Sequence, residues 1–345
     1  MGLLRGRLES LAGRRPRPRR PRPRREERAR PRPALRDAVR GLDRGARPGR
    51  RLRGALRTQV HEVAPPRAFA PGRPIWTVDR EAVLLLGAGR ALLLQIAHPL
   101  VAAGVADHSS FVADPWGRLR RTLDTSYALV FGGEEGARVA VQRMDAIHRR
   151  VHGSLRESVG RFAAGTPYDA LDPGLRLWVH ATLIETSLRV YPRFVRPLSR
   201  AEEAAYYQDS REIARLVGIP ESVVPPTLDD FRAYVARTLA GDVAVGPIAR
   251  ALARHIFHPP GAAGLASVGA LLEPITAGLL PPEVRRQYGY AWSPARERVL
   301  AAFAASVRGA LPAVPPLLRI VPAARAAERE AAALRGLTGV DRRSP

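Results

Sequence analysis

From Pro74 onward apolar side chains recur at helical spacing, and alternating patterns bounded by Asn-Gly or Asp-Gly turns are absent, so the pattern predicts helices almost throughout. Their boundaries are written in cap chemistry. Asp79 is placed to cap a helix reaching about Ala97, after which His98-Pro99 restarts a second helix through Ala106. Asp114-Pro115 sets an N-cap before a proline at the first helical position and opens a helix that stops at Gly132-Gly133. Asp172-Pro173 repeats that signature, and Ser199 with Glu202 makes a capping box for a helix ending at Gly218. Further helices are predicted over Thr227 to Ala240, Val245 to Phe257, Ala262 to Leu279, Pro294 to Leu311 and Pro322 to Arg335. The result is one large all-α domain of about ten helices over residues 74–340, with no repeat of solenoid type.

Two segments are strongly apolar. Leu84 to Val105 is interrupted by Arg90, Gln95, His98 and Pro99, short of the roughly 20 clean residues that a membrane span needs. The helix from Asp172 to Tyr191 is apolar nearly all the way round, which predicts a buried central helix.

Composition changes the picture at the N-terminus. The net charge is +24, but residues 1–73 hold 23 Arg against 6 acidic residues, and the rest of the chain holds 33 Arg against 26. The basicity therefore belongs to a Pro/Arg tail, residues 1–73, in which frequent proline and like charge predict disorder. Such a tail could dock to polyanions or to anionic membrane lipid, without a specific nucleic-acid target. It could equally be dispensable, or an over-long start. No apolar signal segment follows it, so a cytoplasmic protein is expected. With no Cys, disulfides, thiolate metal sites and thiol catalysis are excluded, and with no Lys, so are Schiff-base chemistry and a Walker-type phosphate loop.

The candidate chemistry lies on the helices. His180 projects from an apolar stripe of the central helix, where burial favours a neutral imidazole. It reads either as a core histidine satisfied by a backbone carbonyl or as a metal ligand. Arg118, Arg121, Thr122 and Thr125 share one face of the helix after Asp114, which suits either an anion or solvent. His98 and His108 stand at helix boundaries upstream, and His148 and His152 are spaced as neighbours on the next helix. Without the Glu of a His-Glu-x-x-His motif, that last pair carries little of a zinc protease.

The run Arg80-Glu81, Leu85 to Gln95, Ala97-His98-Pro99 to Ser109, Asp114-Pro115, Arg118-Leu119-Arg120-Arg121-Thr122 and Leu177-Trp178-Val179-His180-Ala181-Thr182 resembles, in order and spacing, the MpaB and latex clearing protein oxygenase family. The resemblance covers about Ile75 to Leu311. It implies an all-α fold enclosing a haem b, whose rubber-cleaving members use dioxygen to cleave the double bonds of a polyisoprene. Carried onto this chain, His180 would be the proximal iron ligand, Arg118, Arg121 and Thr122 the distal groups polarising bound oxygen, and His98 and His108 pocket residues near the cofactor. Departures exist. Arg121 stands where the rubber-cleaving members have Lys, and between His98 and Arg118 only Asp107 and Asp114 could replace their distal Glu. Their secretion signal has no counterpart here. The expectation is a haem-dependent, oxygenase-like oxidoreductase acting with dioxygen on a small apolar substrate, isoprenoid or lipid, and not on extracellular rubber. The alternative is a non-enzymatic helical protein that binds haem or lipid.

Overall fold

Proline begins nine of the fourteen α-helices among the described residues, and this segmentation decides where the chain bends. The computed structural model describes residues 69–108, 115–258 and 263–340. The tail before Phe69 and Asp114 lie outside them. The order is α1 (Pro74–Asp79), a 3-10 helix (Ala82–Gly87), α2 (Ala88–Ala97), α3 (Pro99–His108), α4 (Pro115–Phe131), α5 (Gly133–His148), β1 (His152–Ser154), β2 (Pro167–Asp169) and α6 (Pro173–Phe194). Then come α7 (Arg200–Leu216), α8 (Leu228–Gly241), α9 (Pro247–Phe257), α10 (Ala263–Leu279), α11 (Pro282–Gln287), α12 (Pro294–Ala310), α13 (Pro316–Arg319) and α14 (Pro322–Val340). Short 3-10 turns cover Glu221–Val223 and Leu311–Ala313.

The all-α expectation holds, with three corrections. Asp79 ends α1 instead of capping a long helix, and the chain reaches α2 through the 3-10 turn. That turn ends on a close approach to α6 at Gly87, where a Cβ would stand 2.6 Å from the Thr186 methyl and 2.7 Å from a Val190 methyl. Next, α5 stops at His148 and His152 begins an antiparallel hairpin, Gly153 facing Tyr168, so His148 and His152 are not one turn apart on a helix. Finally, the packed body begins at Phe69, ahead of the expected boundary at Pro74. Phe69 is 4% exposed and the Arg73 guanidinium hydrogen-bonds Asp209 and Glu212. The Asp172 N-cap and the Ser199/Glu202 capping box form as the sequence predicts.

The central helix is α6, and it parts two apolar clusters. On one side Leu177, Ala181 and Ile184 pack with α7, the end of α4 and the start of α8. On the other Trp178 packs with α2, α3 and α9. Trp178 Nε1 donates to the Leu94 carbonyl at 3.2 Å and Tyr288 Oη to that of Leu93 at 2.7 Å, taking up carbonyls of the last turn of α2. Among the described residues no single helix is long and apolar enough to cross a membrane; Ala82–Ala97 with Pro99–His108 passes that test only as a pair bent by 102°.

Candidate functional site

Helix geometry separates the candidate residues into two groups. At about 100° per residue, Trp178 and His180 point some 200° apart on α6. Arg176, His180, Leu183 and Ser187 share one face; Gly174, Leu175 and Trp178 lie on the other.

On the first face His180 Nε2 donates to the Ser210 carbonyl of α7 at 2.9 Å. Burial holds its pKa below the usual histidine range, so the ring is neutral, with the Nε2–H tautomer fixed by that carbonyl. A turn earlier, Arg176 pairs with Asp145 of α5 at 2.5 Å and donates to the carbonyls of Val217 and Ala170. Those two charges, Arg176 and Asp145, also act on His148, whose pKa is lowered, chiefly by burial and then by Arg176. His148 Nδ1 is buried with no hydrogen-bond partner. A buried ring nitrogen without a partner is the unusual state of the two, since His180 is already committed to a protein acceptor.

This face is not sealed. Leu183 is 38% exposed although Ala181, Thr182 and Ile184 around it are 0%, 1% and 4% exposed, so this face of α6 is open at Leu183 while the residues beside it are packed. At the far end, Tyr206 of α7 donates its hydroxyl to Asp79 Oδ1 at 3.1 Å, and Ser187 donates to the same carboxyl. Burial, with the nearby charge of Asp209, raises Asp79 to about 7.

The Arg/Thr stripe lies on α4, which packs antiparallel on α5 through the Gly132-Gly133 turn. That pairing sets the N-terminal half of α4 beside the C-terminal end of α5, so Arg118, Arg121 and Thr122 share an end of the hairpin with His148. The Arg118 side chain lies outside the described residues. Arg121 and Thr122 are exposed, and the Thr125 hydroxyl donates back to the Arg121 carbonyl at 2.9 Å.

His98 and His108 fall elsewhere. His98 is 5% exposed, follows α2 and lines a cavity of about 710 Å³ on the opposite face of α6. Burial pulls its pKa down to about 4. His108 is exposed, donates Nε2–H to the His152 carbonyl at 3.0 Å and lies 3.2 Å from the Tyr168 hydroxyl. The structure thus sets His148 beside the Arg176–Asp145 pair, one turn of α6 before His180, and does not bring His98 and His108 there. Sequence reasoning passes over His148 because its spacing pairs it with His152; the usable signal is its position at the end of a helix, next to the Arg-rich break at 149–150. Among the described residues no cluster of three or more His, Asp or Glu could hold a metal ion, so any iron here would depend on one imidazole and a macrocycle.

An all-α body whose central helix carries a neutral histidine, His180, is the class that fold and site define. Residues 75–309 match the family described as ER-bound oxygenase mpaB/B'/Rubber oxygenase, catalytic domain, and the chain belongs to that family. Its relatives include the uncharacterized protein Mb2261 of Mycobacterium bovis and the uncharacterized protein Rv2237 of Mycobacterium tuberculosis. Each is 30% identical over 215 residues, which cover 60% of this chain and 80% of the relative. No solved structure gives a significant match.

Proposed function

We propose that the chain is a haem-dependent oxidoreductase of the oxygenase class, acting with dioxygen on a small apolar substrate of isoprenoid or lipid type. Family membership supports the reaction class. The observation that carries the haem is the unsealed face of α6, flanked by one imidazole with an unpartnered buried nitrogen, His148, and a second held neutral, His180. A haem b bound there would supply an iron able to bind and activate dioxygen.

The donor set fits that group, with a change in the roles read from the sequence. For His180 to ligate through Nε2 it would have to give up Ser210. His148 has no such commitment at Nδ1, so we assign the iron to His148 and leave to His180 the part of a neutral neighbour anchored on α7. Arg118, Arg121 and Thr122, whose backbone lies at the same end of the α4–α5 hairpin as His148, would be the hydrogen-bond donors of that site. Leu183 offers an apolar surface against which a hydrocarbon would rest.

Haemin titrated into the purified full-length chain should give a saturable Soret band. His148→Ala should lose or strongly shift that band at unchanged helical circular dichroism, and His180→Ala should retain it. The reverse pattern would return the iron to His180. A wild-type chain that takes up no haemin would remove the haem from the proposal.

A further inference from the structure

We infer that the cavity on the Trp178 side of α6, between the β1–β2 hairpin and α8, binds an organic ammonium ion. It is separate from the His148/His180 face and independent of whether haem binds there. Its volume, about 710 Å³, is that of a site for a small organic ligand.

The lining selects the charge of the ligand. Phe162, Tyr168, Trp178 and Tyr234 supply aromatic surface, and ring faces attract cations. Three carboxylates join them. Asp242 is balanced by Arg161 at 2.5 Å, the one guanidinium among the lining residues. Asp169 and Asp172 have no cationic partner among the described residues; each uses Oδ1 to accept one backbone N–H, from Leu171 at 2.7 Å and from Leu175 at 2.9 Å. His98 is the independent sign that the cavity is a site. It is 95% buried, by its 5% exposure, it lines the cavity, and its Nδ1 has no partner in the protein. Being neutral, it adds no positive charge to the wall of the cavity. An anionic ligand would be repelled by Asp169 and Asp172, which are exposed at the cavity, whereas an ammonium group suits both these carboxylates and the aromatic faces.

Isothermal titration of the full-length chain with phenethylammonium, 2-phenylethanol and phenylacetate compares one shape in three charge states. The ammonium ion should bind tightest and phenylacetate weakest. Asp169→Asn/Asp172→Asn keeps the Asp172 cap and the Asp169 turn bond, because the Asn side-chain oxygen accepts a backbone N–H as the Asp oxygen does. It should weaken the ammonium ion about tenfold and leave the alcohol unchanged. If circular dichroism shows the double variant misfolded, Asp169→Asn alone, at an exposed strand end, should show part of the same selective loss. Equal binding of alcohol and ammonium, tighter binding of phenylacetate, no loss in the Asn variants, or no heat with any of the three compounds would overturn the inference.

Discussion

Arg90→Met is expected to destabilise the protein by about 3 kcal/mol or more, read as a lower urea midpoint at unchanged slope. Arg90 sits on α2 with its side chain 1% exposed and ties three helices together. It forms an ion pair with Glu185 of α6, donates to Thr186 Oγ1 at 2.6 Å and donates through Nε to the carbonyl of Leu279, at the end of α10, at 2.8 Å. Methionine fills much of the stem's volume, so a cavity is not the main loss. The cost comes from a carboxylate left without its cation and a buried carbonyl left without its donor. Arg90→Met combined with Glu185→Leu should recover part of the loss, since no charge is then stranded. Equal instability of single and double variants would place the energy in the bonds to Thr186 and Leu279 instead.

Arg90 also marks where legibility in the sequence ends. Along the chain it only interrupts an apolar run; that it closes the α2–α6–α10 junction depends on contacts about 100 and 190 positions away. Local chemistry is legible. Asp172 caps α6 and Ser199 with Glu202 caps α7 because the partners lie three residues apart and no distant packing is required. The hairpin at His152–Ser154 and Pro167–Asp169 is not legible, since three-residue strands leave no alternation to detect. The site divides along the same line. His180 stands out by its apolar stripe, and one of its two open readings, the core histidine on a backbone carbonyl, describes its contact with Ser210. The partition of His98 from His180 leaves no local trace, because it follows from which side of α6 the turn at His98-Pro99 folds back upon.

Asp79→Asn should make the protein more stable above neutral pH and leave it unchanged in mild acid. In the folded chain the Asp79 carboxyl is pushed up to about 7 from its ordinary 3.8, first by burial and then by the negative charge of Asp209. The hydroxyls of Tyr206 and Ser187 oppose the shift by donating to it, but neither brings a positive charge. Between those two values the folded state holds a proton that the unfolded state has released. Stability therefore falls as pH rises from about 4 to about 7 and levels off beyond, the sign opposite to that of a salt-bridged carboxylate. Asparagine resembles the protonated form, with an oxygen that still accepts from Tyr206, and it cannot ionise. Denaturation at a series of pH values should show wild type and variant together near pH 4 and apart by about 2–4 kcal/mol at pH 8, the variant being the more stable. A gap that does not change with pH would mean that Asp79 ionises as freely in the fold as in the open chain, with water reaching it through the unsealed face of α6 beside Leu183.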